Sequence, residues 1–157
     1  RNRMKHILKN GTSNISSKYI LSYKGLDYRC DSKLEIAGII FMIEHLGFKQ
    51  IKRFKSILSF KDDEGKNHRY NPDFICYSSD DVTTIVEIKQ DITKTSSGDV
   101  FDVYKAFLDK KKETLRIFAE ERNYKWMWIT PSYSLDLRRI YRNIIKGKSS
   151  YNFRKIV

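Results

Sequence analysis

The chain has 157 residues, 40% hydrophobic and 13% aromatic, enough for one compact domain with a real core and too apolar for a wholly disordered chain. Its 31 Lys and Arg outnumber 19 Asp and Glu for a net charge of +12, which points to a polyanionic partner, nucleic acid ahead of a merely solvated basic surface. Two cysteines, Cys30 and Cys76, are too few for a disulfide framework, and the longest apolar run, Ile36 to Ile43, is too short for a membrane span; no membrane partner and no targeting segment are expected, and a reducing cytoplasm is the expected home.

Residues 1–17 are polar and basic and read as a mobile arm. Tyr19 to Tyr23 and Leu26 to Arg29 flank Lys24-Gly25 and suggest a short extended pair. A first helix should start at Ser32 and end at Gly47. Ser32 and Glu35 have capping-box spacing, and the interior is apolar almost all round, as in a helix buried between layers. Three strands are expected next: Ile57 to Lys61, Arg69 to Tyr77, and Val82 to Lys89, joined by turns at 62–66 and 78–81. After a polar loop over 90–99, Phe101 to Arg122 shows helical spacing, Tyr124 to Ile129 reads as a strand, and Leu135 to Lys146 as a last helix. A single domain over 18–147 with a basic tail at 148–157 follows. The long helix between the last two strands is a crossover that would let them lie parallel. The expected fold class is therefore α/β, a mixed central β-sheet flanked by helices.

The chemistry concentrates in two of these strands. Asp73 falls near the start of one and Glu87 and Lys89 near the end of the next, so in antiparallel strands the three can converge. Glu87 and Lys89 alternate with Val86 and Ile88, share one face, and sit in an otherwise apolar strand where unpaired charge is costly. Two converging carboxylates suit a hard divalent ion, and a neighbouring lysine can position a water or neutralise charge on a phosphate. The competing expectation is a surface Glu-x-Lys pair on an exposed hairpin, since such triplets recur by chance.

The combination resembles the PD-(D/E)xK nuclease superfamily. The matching pieces are Tyr70-Asn71-Pro72-Asp73-Phe74, Val86-Glu87-Ile88-Lys89, and Tyr28-Arg29-Cys30-Asp31-Ser32-Lys33-Leu34-Glu35, the last similar to a Tyr-Arg-Ser-x-x-Glu signature that opens the first helix. Similar in layout are TnsA-type transposon-end endonucleases, phage head-completion nucleases and phage junction resolvases. The resemblance spans roughly residues 28–130 and implies a restriction-endonuclease-like core. It also implies a magnesium ion, replaceable by manganese, on Asp73, Glu87 and the carbonyl of Ile88. Lys89 would act on the attacking water and Glu35 as a second-metal or water ligand, with DNA cut to a 5′-phosphate and a 3′-hydroxyl. Glu35 has a competing role in closing its capping box. A non-catalytic nucleic-acid-binding or assembly module and an RNA-cleaving enzyme are the alternatives.

Substrate contacts are expected from Gln90 and Lys94, just after the motif strand, and from Arg138, Arg142 and Lys146 on the last helix, where Arg138 and Arg142 share one face. Lys105, Lys110, Lys111 and Lys112 read as a solvated helix face, His68 as a surface histidine, and Asp62-Asp63-Glu64-Gly65 as a hairpin turn ahead of a calcium loop. Cutting two strands together needs two active sites, so a homodimer or a larger nucleoprotein complex fits.

Overall fold

The computed structural model describes residues 17–92 and 98–156, with backbone alone for 98–100. Lys24 and Gly25 both adopt positive φ, 50° and 83°, the geometry of a two-residue turn whose twist matches its flanking strands. They close the expected hairpin of β1 (Tyr19–Tyr23) and β2 (Leu26–Cys30). The C-terminal stretch read as a basic tail contributes a strand as well: β9 (Asn152–Lys155) pairs antiparallel with β1, with Phe153 opposite Leu21.

Helix α1 (Lys33–Glu44) is capped as its sequence requires, the Ser32 hydroxyl accepting from the Glu35 N–H at 3.1 Å. It ends earlier than expected, with His45 as C-cap, while Gly47 takes a positive φ of 72° in the turn that follows. Gly38 in its middle faces β7 (Thr83–Ile88). A Cβ at Gly38 would overlap Ile88 Cδ1 and lie 3.3 Å from Ile88 Cγ1, so the glycine sets the close approach of helix and strand.

The central sheet has the order β3-β6-β7-β8, made of β3 (Gln50–Arg53), β6 (Phe74–Tyr77), β7 and β8 (Lys125–Ile129). β6 runs antiparallel to both of its neighbours, β3 and β7, and β7 and β8 are parallel across the crossover helix α2 (Gly98–Glu121). The expected mixed α/β sheet is thus observed. The second of the three expected strands differs, because Arg69 to Tyr77 is not continuous. β5 (Asn67–Tyr70) belongs to a separate hairpin with β4 (Leu58–Lys61), and Asn71-Pro72-Asp73 turn the corner into β6. Pro72 has no N–H to give a ladder, and the Asn71 amide donates instead to the Phe54 and Ser56 carbonyls at 3.0 and 2.6 Å. β3 also went unexpected, since only one of its four side chains, Ile51, is buried.

Alternation along the strands divides the core. Phe74, Cys76, Val86, Ile88 and Ile129 join α1 and α3 (Leu135–Ile145) on one face. Ile75, Ile85, Trp126 and Trp128 face Leu115 of α2 and Leu58 and Tyr70 of the β4–β5 hairpin on the other. Asp73, Glu87 and Lys89 occupy alternate positions with this second set. Among the described residues no helix is long and apolar enough to cross a membrane.

Candidate active site

The corner between β5 and β6 brings Asp73 beside the end of β7, where the ladder pairs Phe74 with Val86. The Ile88 N–H donates to Asp73 Oδ2 at 2.8 Å, and the Asp73 N–H donates to Glu87 Oε1 at 3.2 Å. The same Glu87 oxygen accepts from the Tyr70 hydroxyl at 3.0 Å, while Oε2 lies 3.5 Å from Lys89 Nζ. Asp73, Glu87 and Lys89 are therefore one connected group. Glu87 is only 2% exposed, which excludes the exposed-hairpin alternative.

Electrostatics follow from this crowding. Burial pushes the Asp73 carboxyl well above the usual range, and the Glu87 and then the Glu35 carboxylate push it further, against the Ile88 N–H and Lys89. Burial works against the Lys89 ammonium, but Glu87 and Asp73 outweigh it and hold its pKa above the ordinary value. Lys89 is a fixed positive charge at neutral pH and not a base. Burial, then Glu87 and Asp73, raise the Tyr70 phenol well above its usual value, which keeps its hydroxyl a donor.

Glu35 lies near the group but is held from elsewhere. Its Oε1 accepts from Arg53 Nη2 at 2.8 Å and from the Asp31 N–H at 2.9 Å, so its carboxylate holds the residue before the Ser32 cap, leaving the reciprocal bond of the capping box unmade, and pairs with an arginine. Burial raises its pKa against the pull of Arg53. Arg53 also donates to the Arg29 carbonyl at 2.9 Å, pairs with Asp31 at 3.4 Å, and lies 4.8 Å from the Phe74 ring centroid. Arg53 was not anticipated, because β3 is too short and mixed for alternation to mark it.

Lys111 was read as part of a solvated face, and this is corrected: it is 1% exposed. Its Nζ sits 4.9 Å from the Tyr70 ring centroid and 5.5 Å from that of Phe107. Burial, then Lys89, lower its pKa to about 8 against the attraction of Glu87 and Asp73. The signal lay in the spacing: Phe107, Lys111 and Leu115 recur every fourth residue on the buried stripe of α2. His68 is likewise not a surface residue. It is buried, bonded through Nε2 to Asp62 Oδ2 at 2.7 Å, and stacked on Phe60. Asp62 also accepts from the Glu64 and Lys66 N–H groups at 2.9 Å, making the expected hairpin turn.

Of the expected substrate contacts, exposed Gln90 follows the motif strand and its amide donates to the Tyr141 hydroxyl of α3 at 2.8 Å. The next residue, Asp91, accepts from the Ser132 N–H and hydroxyl at 3.1 and 2.6 Å. These bonds tie the exit of β7 to α3 and to the turn that precedes it. Arg138 and Arg142 are exposed on α3 and Lys146 caps its C-terminus, while Lys94 lies outside the described residues.

The residues fit a hard divalent cation in donor chemistry. Two adjacent carboxylates offer only oxygen, and their mutual repulsion is what a cation would relieve; magnesium often takes no more than one or two protein carboxylates. Among the described residues no group of three or more His, Cys, Asp or Glu is gathered to hold a metal. No family model, curated protein or solved structure matches the chain.

Proposed function

We propose that this protein is a metal-dependent DNA endonuclease with a restriction-endonuclease-like core, its site built on Asp73, Glu87 and Lys89. The observation that carries this is the convergence of two carboxylates and a lysine, from the entry of β6 and the end of β7, into one group joined by hydrogen bonds and an ion pair. Asp73, Glu87 and the Ile88 carbonyl would hold magnesium or manganese. The ion would supply a more acidic bound water and neutralise charge on the scissile phosphate.

The chain's own contributions are specific. The Ile88 N–H and the Tyr70 hydroxyl fix the orientation of the two carboxylates before any substrate arrives. Lys89, kept protonated by Glu87, places a positive charge where negative charge develops on phosphorus or aligns the attacking water. For Glu35 to serve as a further ligand, Arg53 must release it. Arg138, whose charge acts on Asp91, and Arg142, one turn further along α3, are exposed and offer phosphate contacts. A dimer would be needed for paired cuts in a duplex, and a phage or mobile element is a natural setting for such an enzyme.

The test is a matched panel of single-stranded, duplex, nicked and branched DNA and equivalent RNA, incubated with magnesium, manganese or chelator. Metal-dependent cleavage of DNA is expected. DNA binding without cleavage would favour a non-catalytic module, and cleavage of RNA alone would move the substrate assignment.

A further inference from the structure

Lysine is rarely fully buried, because an ammonium removed from water is expensive to accommodate. Lys111 is 1% exposed in the middle of α2. Its ammonium lies against the rings of Tyr70 and Phe107, at 4.9 and 5.5 Å from their centroids. Tyr70 is itself only 1% exposed, and its hydroxyl donates to Glu87 Oε1 at 3.0 Å. Glu87 Oε2 in turn pairs with Lys89 at 3.5 Å. A chain of contacts thus runs from α2 through one aromatic ring to the carboxylate at the centre of the group, and the charges of Glu87, Asp73 and Lys89 all act on Lys111.

A lysine serving only as core filler has no need of its charge. An apolar side chain of similar length would fill the same space, and replacing buried charge by apolar groups is often neutral or stabilising. A charge kept inside the core, against the ring whose hydroxyl holds Glu87, points to a residue kept for function.

We propose that Lys111 is a positioning residue of this site, which holds Tyr70 against Glu87 and lends a second positive charge to the centre that receives an anionic phosphodiester. The assignment rests on the nuclease function proposed above. It also has a sign that a structural role lacks. A buried cation beside the carboxylates opposes a metal ion, so the charge that assists an anionic substrate should weaken metal binding.

The experiment uses the full chain with Lys111→Met, Lys111→Arg and Tyr70→Phe. Magnesium alone is titrated into each metal-free protein by calorimetry, and cleavage kinetics are measured on the best DNA of the panel. Lys111→Met is expected to bind magnesium several-fold more tightly and to lose about 100-fold in kcat with KM for DNA little changed, the scale of one preorganised charge. Lys111→Arg should restore wild-type metal affinity and much of the lost kcat. A Lys111→Met protein with wild-type kcat, or with unchanged or weaker magnesium affinity, overturns the assignment while leaving the nuclease function standing. Should Lys111→Met fail to melt cooperatively, Tyr70→Phe carries the test. A reduced kcat at constant KM is expected there, and wild-type kcat overturns it. A wild-type chain that neither binds magnesium nor cleaves overturns the nuclease function and this assignment together.

Discussion

Gly38→Ala should fail to stabilise α1, and Ile88→Val should reverse that failure. In an exposed helix, Gly→Ala gains about 1 kcal/mol from the lower entropy of the unfolded chain. Gly38 is fully enclosed in the core with Ile36, Ala37 and Ile39 around it in sequence. A new Cβ would overlap Ile88 Cδ1 and approach Cγ1 and Cγ2 to 3.3 and 3.5 Å. Overpacking of a closed core costs about 1–3 kcal/mol, so the propensity gain is cancelled or reversed, and Gly38→Ala should range from neutral to about 2 kcal/mol less stable. Ile88→Val deletes the atom in the way, Cδ1, and by itself costs about 1 kcal/mol. The double variant should therefore be more stable than the sum of the singles by about 1 kcal/mol or more, well above the roughly 0.3–0.5 kcal/mol scatter of independent sites. Urea unfolding of the four proteins measures this coupling. Additive singles would refute the close approach of α1 and β7. Because the Ile88 N–H orients Asp73, Gly38→Ala should also weaken magnesium binding, and Ile88→Val should recover it.

Lys111 has a folded pKa of about 8 against its ordinary 10.5, so between these values the unfolded chain binds more protons and stability rises with pH; below pH 8 the full penalty applies. The stability difference between wild type and Lys111→Met should accordingly shift in favour of the wild type by about 3 kcal/mol across pH 8 to 10.5, and a pH-independent difference in metal-free thermal unfolding would contradict it. Arg53→Ala should destabilise the chain by about 3 kcal/mol, because it strands the buried Glu35 carboxylate, and Glu35→Gln in the same background should recover most of that loss in denaturant unfolding. Arg138→Ala and Arg142→Ala should each weaken DNA binding and reduce the slope of log K against log salt by about 0.9. Unchanged slopes would place the duplex away from α3.

The motif residues were legible because their strands obey simple rules. Glu87 and Lys89 stand out against Val86 and Ile88 on a period of two, and the antiparallel return of the chain brings Asp73 to them. Ser32 and Glu35 announced the start of α1, and the long crossover announced the parallel pair of β7 and β8. What escaped was set by tertiary contacts that leave no local period. Asn71 and Pro72 break what reads as one strand, because the Asn71 amide finds its acceptors at Phe54 and Ser56, far off in sequence. Arg53 and Glu35 pair across the same kind of distance. β9 holds a single apolar ring, Phe153, among polar neighbours, and takes its partner from the other end of the chain. Lys111 was hidden by its own charge, since a lysine among lysines reads as solvent-facing until the stripe of Phe107 and Leu115 is followed through it.

The central claim is tested most directly by measuring magnesium-dependent DNA cleavage by the wild type, Asp73→Ala and Lys89→Ala, with DNA binding and thermal unfolding followed on the same preparations. Cleavage by the wild type that needs magnesium, and its loss in both variants with folding and DNA affinity largely retained, is the predicted result. Cleavage that persists in either variant, or a well-folded wild type that binds DNA and never cuts it, would contradict the account.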